Sequence, residues 1–396
     1  MRLWHMSRRT TRDDTSPARD HLASVVDRYP EKTGILSGVF DETTNSYKLF
    51  WFMGILALLK RHHGPKIAVA DILTEMLVLA WHPVCLFRLS LGRQDDLQRI
   101  VMDLQGSANL PPGVSVEEVR HAALRDPPTL AKLRRLKRYV PMRFLTPWFG
   151  SELAGLKDSV KDGLIIAMAS ASQGDSAPSP YFFDDDALAP SIVLNPAWLS
   201  FLMENMGALS AFVDHHLARY LESRNSGSPG IVNKLRRPEE RDPWRGRQFW
   251  NAARARLGAA GVGHRLRDMY SERILDAKYS LDHFLPWSFV VHDSVWNLVP
   301  VDPATNSSKG DSLPDVDLYL PRLASIHHAA IHVLRGRPEM LQDHCDAFKQ
   351  DERGLLAMSE EQLAAEYRSL IIPQRQLAEN LGFRPGWRFA RHDRPA

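Results

Sequence analysis

The stretch "LDHFLPWSFVVHDSVWNLVPVDPATNSSKGDSLP", residues 281–314, decides how the rest of the chain is read. It opens with an acid beside a base, Asp282 and His283, and continues through Asn297, Asn306 and Lys309. "KYSLDHF" predicts a strand, because Tyr279, Leu281 and Phe284 suit a pleated surface. "VWNLVPV" predicts a second strand, and "PATNSSKGD", opened by Pro303, a short helix. The expected order is strand, loop, strand, helix. Such an order lets Asn297 and Asn306 approach the end of the first strand, gathering a carboxylate, an imidazole and an amide oxygen around one point.

Those groups suit one kind of chemistry. A carboxylate and an amide carbonyl are hard oxygen ligands. Two of them, with positions left to water, suit Mg²⁺, which keeps several waters and takes a substrate phosphate as a further ligand. A histidine can accept a proton from water near neutral pH. A lysine can neutralise phosphate charge. Together the parts make a one-metal site for phosphodiester hydrolysis.

The same residues resemble the HNH (ββα-metal) nuclease motif, most closely the form in the HNH domain of CRISPR RNA-guided effector nucleases. That form has an Asp-His pair, an asparagine 14 residues after the histidine, and an N-x-x-K whose asparagine lies 23 residues after it. His283, Asn297 and Asn306 keep those separations and Lys309 completes the pattern. The "D-S" before the second strand agrees as well. The resemblance implies that Asp282 and Asn306 are metal ligands and His283 the general base. It implies that Asn297 holds the connecting loop and that Lys309 steadies the site or the phosphate. Many family members carry histidine where Asn306 stands. Asparagine is a neutral, hard ligand, so Mg²⁺ or Mn²⁺ is expected rather than Zn²⁺. A looser resemblance, through "NSYKLFWFMGIL", "VPMRFLTPWF" and "SPGIVNKLRRPEER", is to stand-alone bacterial HNH proteins of phage-defence and restriction neighbourhoods.

Outward from this stretch the chain reads as helical. With 396 residues it is long enough for two or three domains. The expected fold is mainly α with a small α+β module. A poorly ordered extension covers 1–35, a helical domain with a small hairpin 36–225, and a basic lead-in 226–269. The ββα-metal module covers 270–335 and C-terminal helices 336–396. "DETTNSYKLFWFMGILALLK" begins the first apolar helix, with Thr43, Thr44, Asn45 and Ser46 as capping candidates. "VADILTEMLVLAWHP" is a second helix, stopped by Pro83. "PSPYFFDDDALAPSIVL" suits a hairpin. Residues 195–223 read as one long helix with Asn195 as its cap. Ser359 and Gln362 make a capping box for a helix that runs to Pro373.

Composition narrows the setting. The formal charge is only +3, so attraction to nucleic acid must come from local clustering. Residues 230–267 supply it, with ten Lys and Arg against three Asp and Glu. Lys234, Arg236, Arg237 and Arg247 in this arm are the candidate phosphate contacts. "KLRRLKRYVPMR", residues 132–143, reads either as a solvated face or as an extension of that path. Two cysteines cannot build a four-thiolate zinc site and point to a reducing, cytoplasmic setting. The most apolar run, residues 49–59, is too short to cross a bilayer, and the next apolar segment carries Asp71 and Glu75. No membrane partner is expected.

Several tempting features read as structural. His62–His63, His215–His216 and His327–His328 are adjacent, and neighbouring side chains on a helix diverge. Trp287 and Trp296 read as module core, Asp293 as a turn cap and His292 as a solvated loop residue. "GAAGVG", residues 258–263, lacks the order of a dinucleotide loop, and no phosphate-binding P-loop occurs. A motor ATPase, if the protein works with one, is therefore a separate chain. The expected function is Mg²⁺-dependent cleavage of DNA in anti-phage defence or restriction, with a homodimer or two events needed to cut both strands. Two alternatives stand beside it. One is a nucleic-acid-binding subunit whose nuclease stays latent until a partner engages it, and the other is an RNase effector.

Overall fold

The computed structural model describes residues 29–41, 43–61, 64–138, 140–184, 190–237, 243–259, 265–275 and 278–390. The chain divides into two compact units. One holds 1–80, 91–110 and 114–220, and the other 81–90, 111–113 and 221–396. Most of the expected disordered extension lies outside the described residues, as do His62, His63 and positions 260–263 of the glycine-rich run. Within the extension, Pro30–Ser37 is an α-helix.

The first unit is helical around a small sheet. Its Tyr47–Arg61 helix is buried on almost every face, from Leu49 to Leu59. The N-terminus of that helix is secured by a carboxylate distant in sequence: the backbone N–H and hydroxyl of Ser46 both donate to Asp95 Oδ2, at 2.9 and 2.7 Å. Asp95 Oδ1 meanwhile caps the Asp96–Ala108 helix through Leu97 N. One buried acid thus satisfies orphan donors at two helix starts. The predicted hairpin is present as β2 (Tyr181–Asp184) and β3 (Ser191–Leu194). A third strand, β1 (Lys66–Ala68), pairs antiparallel on the far side of β3.

Three expectations are corrected here. Pro83 does not stop the helix at Val69–Trp81. The backbone widens into a π turn at His82–Leu86, and Phe87 N reaches back to His82 O at 3.0 Å. The wider turn accommodates a residue that has no N–H to donate. The long helix expected over 195–223 breaks at Asn205 into Pro196–Glu204 and Met206–Glu222. The Asn205 side chain donates to Phe201 O at 2.8 Å and so competes with the backbone ladder. Asn195 begins the first of these helices without capping it. Its amide instead bonds Gly174 N and Ser179 O. The helical run Val69–Leu86 is long and apolar enough to cross a membrane, but 78% of it is buried within the protein, as in a core helix.

The second unit carries the predicted strand–loop–strand–helix. β4 is Ser280–His283 and β5 is Leu298–Val301, paired antiparallel with His283 opposite Leu298. Asn297 belongs to a 3₁₀ turn just before β5 and not to the strand. The Trp244–Ala259 helix approaches this pair so closely that a Cβ on Gly246 would meet Leu298 Cδ1 at 2.5 Å and Leu281 Cδ1 at 3.1 Å. Trp250 Nε1 also donates to Leu298 O at 2.9 Å. Phe249, Trp250, Phe284, Phe289, Trp296 and Tyr367 lie in one apolar core. Trp296 is core as expected, whereas Trp287 is only half-buried. The Val316–Val333 helix packs against both Trp244–Ala259 and Glu360–Asn380. The last of these starts with the predicted Ser359/Gln362 capping box but runs through Pro373 to Asn380.

Candidate active site

The site is assembled at the end of β4. Successive residues of a strand point to opposite faces, and Asp282 and His283 accordingly engage different partners. Asp282 is 4% exposed, and both its carboxylate oxygens are occupied. Lys309 Nζ lies 3.1 Å from Oδ1 and 3.0 Å from Oδ2. Tyr270 O–H donates to Oδ2 at 2.7 Å. Lys309 Nζ also donates to His283 O at 2.7 Å, so a buried ammonium ties the backbone of the histidine to the carboxylate before it. Burial first, and then the Asp282 charge, push the Tyr270 phenol well above its usual range, which keeps it a donor.

His283 is held on its other side. Its Nε2 meets Asp293 Oδ1 at 2.8 Å. Asp293 therefore does more than cap a turn: it is the acidic partner of the candidate base. Carboxylate and imidazole in contact fix the ring orientation and its tautomer. His292, expected to be solvated, is half-buried with its ring 5.6 Å from that of Trp296. Burial, and then nearby His283, lower its pKa.

Asn297 is fully buried and acts on the loop that follows the histidine. Its Oδ1 accepts from Leu285 N at 2.9 Å, and its Nδ2 donates to Leu285 O at 3.0 Å. An amide suits this pairing, because its oxygen accepts while its nitrogen donates. Phe284 N also donates to Asn297 O at 2.8 Å.

The helix Pro303–Lys309 starts at Asp302, whose side chain accepts from Ala304 N, with Pro303 in the first turn. Lys309 and Asn306 are three residues apart and therefore share a face. The side chain of Asn306 is half-exposed and makes no hydrogen bond with the described residues. Asp268, 1% exposed, fastens this assembly to the turn that carries Tyr270. Its Oδ1 accepts from Tyr270 N and Ser271 N, and its Oδ2 accepts from Asp302 N at 2.6 Å. Sequence reasoning missed Tyr270 and Asp268, which lie upstream of the stretch it weighed. A signal existed for Asp293, in the "D-S" noted before the second strand.

The donors suit a hard divalent cation. Among the described residues no group of three or more His, Cys, Asp or Glu side chains could hold a metal. What stands there is one carboxylate, Asp282; the Asn306 amide lies on the helix that brings Lys309 to it. So sparse an all-oxygen set suits a divalent cation that completes its shell with water and phosphate.

The basic arm divides. Lys234 is fully buried; its Nζ donates to Ser228 Oγ at 2.7 Å and lies 5.4 Å from the centre of the Phe289 ring. Burial drives its pKa down to about 7. Lys234 is thus a core residue, and its place as a phosphate contact is withdrawn. Arg236, Arg237 and Arg247 are exposed, and Arg237 donates to Gly113 O. Residues 238–242 and 260–264 of the arm lie outside the described residues.

The adjacent histidines His327 and His328 are explained by packing. His327 Nδ1 meets His344 Nε2 at 2.9 Å in the core, and His328 Nε2 meets His332 Nε2 at 3.0 Å. Burial lowers the His344 pKa to about 3, so that ring stays neutral.

Residues 267–315 match the family model of the HNH endonuclease. Over 60 residues the chain is 37% identical to the CRISPR-associated endonuclease Cas9 of Listeria innocua serovar 6a. That match covers 14% of this chain and only 4% of the Listeria protein's length. No solved structure matches. The chain therefore carries an HNH endonuclease domain, and the strand–loop–strand–helix is that domain. A nuclease domain acts on nucleic acid.

Proposed function

We propose that the protein is a divalent-metal-dependent endonuclease that hydrolyses phosphodiester bonds of DNA. The observation that carries this reading is the His283–Asp293 pair beside Asp282 at the end of β4. Asp293 holds Nε2, leaving Nδ1 to take a proton from water. The water oxygen attacks phosphorus, and the bond to the leaving oxygen breaks. Asp293 then compensates the charge on the imidazolium. Asp282 and Asn306 are the residues that would hold Mg²⁺ or Mn²⁺, and the ion supplies charge stabilisation at the phosphate and the leaving oxygen. Lys309 and Tyr270 keep the Asp282 carboxylate in place. DNA rather than RNA and a role in anti-phage defence or restriction rest on the resemblance to stand-alone bacterial HNH proteins, and a cytoplasmic setting rests on the two cysteines. One module cuts one strand, so a homodimer or two successive events would break a duplex.

The test is cleavage of plasmid and of labelled DNA and RNA, side by side, by the purified chain with Mg²⁺, Mn²⁺ or EDTA. His283→Ala serves as the control. Cleavage that survives EDTA or His283→Ala would reject the mechanism, and cleavage of RNA alone would favour the RNase reading.

A second reading draws on one further observation. Both oxygens of Asp282 are engaged by Lys309 and Tyr270, so a cation has to compete for them. A nuclease that stays latent until a partner protein engages it would look like this. Tight DNA binding without cleavage by the chain alone is its expected signature.

A further inference from the structure

Beside the candidate base lies a recess of about 280 Å³, lined by Pro243, Trp244, Arg245, Asp293, Ser294 and Asp343. We infer that it receives a single nucleobase of the substrate strand, turned out of its stack next to the phosphate being cut. This inference rests on the nuclease reading and adds a base-binding site to it.

Three features support it. First, Trp244 opens the Trp244–Ala259 helix with 49% of its surface exposed, whereas Trp250, two turns further on, is fully buried. An indole left in water at the rim of a recess is a stacking platform without its partner, and any base can stack on it because every base has a π face. The Arg245 guanidinium lies 5.7 Å from the Trp244 ring, so the same rim offers a second planar, cationic surface.

Second, the floor is an acceptor. Asp343 Oδ2 is fixed by Val295 N at 2.9 Å, and its Oδ1 lies 3.9 Å from Arg245 Nη1, beyond hydrogen-bond reach. A carboxylate there suits the amino group of adenine, cytosine or guanine and offers less to thymine or uracil. Third, Asp293 lines the recess and also holds His283. A base bound there belongs to a nucleotide next to the scissile phosphate. The volume lies just under the range of about 300–1,000 Å³ that takes whole drug-sized ligands, so it suits one planar ring system.

The full chain carrying His283→Ala allows the test without cleavage. Oligonucleotides of DNA and of RNA would carry 2-aminopurine, a fluorescent base, moved one position at a time past the cut site mapped with the wild type. Binding is followed separately by anisotropy. Quenching is expected at one or two adjacent positions only. It should disappear in Trp244→Ala and persist in Trp244→Phe. Affinity for single-stranded or mismatched DNA should fall by roughly 5- to 150-fold in the alanine variant, the worth of one stacked base. Binding with uniform fluorescence along the strand, or quenching unchanged by Trp244→Ala, overturns the base site and leaves the nuclease reading intact. A chain that binds neither DNA nor RNA overturns both. A change of oligomeric state in Trp244→Ala without a change in quenching assigns the indole to a protein contact and overturns the base site.

Discussion

Lys309 Nζ lies 3.1 Å and 3.0 Å from the two carboxylate oxygens of Asp282, and the pair is almost completely buried. Removing one member of such a pair leaves an uncompensated charge in the interior, at about 3–5 kcal/mol. Lys309→Met is therefore expected to lower stability by that amount. It also leaves Asp282 Oδ1 open to a cation, so added Mg²⁺ should raise the melting temperature of the variant more than that of the wild type. Equal Mg²⁺ effects on the two proteins would mean that Asp282 is no ligand.

The contact of His283 Nε2 with Asp293 separates two roles. His283→Ala should lower the single-turnover cleavage rate by about 10²- to 10⁴-fold, the usual worth of a general base, with DNA affinity nearly unchanged. Asp293→Asn keeps the shape but loses the charge that fixes the tautomer. Its rate should fall less than that of His283→Ala, and combining the two should add little, because they act as a unit. Independent, multiplying effects would show that Asp293 does not work through the histidine.

Tyr270→Phe removes one hydroxyl, 2.7 Å from Asp282 Oδ2. A hydrogen bond to a charged group contributes about 1.5–3 kcal/mol, so some stability is lost. A purely structural tyrosine would cost only that. A positioning residue also changes the metal response, and the half-saturating Mg²⁺ concentration for cleavage should shift several-fold. A shift in melting temperature with an unchanged Mg²⁺ titration would confine Tyr270 to packing.

How much was legible in the sequence follows from how each residue acts. Asp282, His283, Asn297 and Lys309 were legible because they lie close together in sequence, and the structure joins Lys309 to Asp282 and Asn297 to the loop after His283. The helix start was readable because Pro303 is a start signal in itself. Tyr270 and Asp268 reach the site across the fold from another segment, at separations that obey no local period. Lys234 was misread because counting charge treats every lysine as exposed. The break at Asn205 and the passage through Pro83 were hidden because each rests on a local detail, a side-chain bond to Phe201 O and a widened turn, that leaves no mark in the apolar period.

The arginines of the basic arm give a prediction in salt. Arg236, Arg237 and Arg247 are exposed, and contacts to phosphates release counterions. Replacing all three with alanine should weaken binding to unrelated sequences by similar factors. It should also flatten the log–log salt slope by up to about one unit per lost contact. Wild-type affinity and slope in the triple variant would remove the arm from the DNA path.

Lys234 should behave in the opposite manner, because it is an interior group. Its ammonium donates to Ser228 Oγ and sits over Phe289, which offsets part of the cost of burial, but that burial still lowers its pKa from 10.5 to about 7. Below pH 7 the lysine is charged in both folded and unfolded chains, and the folded state bears the full cost. Between about pH 7 and 10.5 the folded lysine is neutral while the unfolded one still holds its proton. The unfolded chain then binds more protons, so this residue makes stability rise with pH across that window. Lys234→Met fills similar volume without charge. At pH 6 it should stabilise the protein by about 1–4 kcal/mol, the range seen when buried charges give way to apolar side chains. The gain should shrink as pH rises through 7 toward 10. DNA affinity should not change at any pH, in contrast to the arginine variants. Urea unfolding of wild type and variant at pH 6 and pH 9 reads the difference directly. A variant less stable at both pH values would show that the ammonium, with its Ser228 and Phe289 contacts, is a net stabiliser. Loss of DNA binding would return Lys234 to the interface.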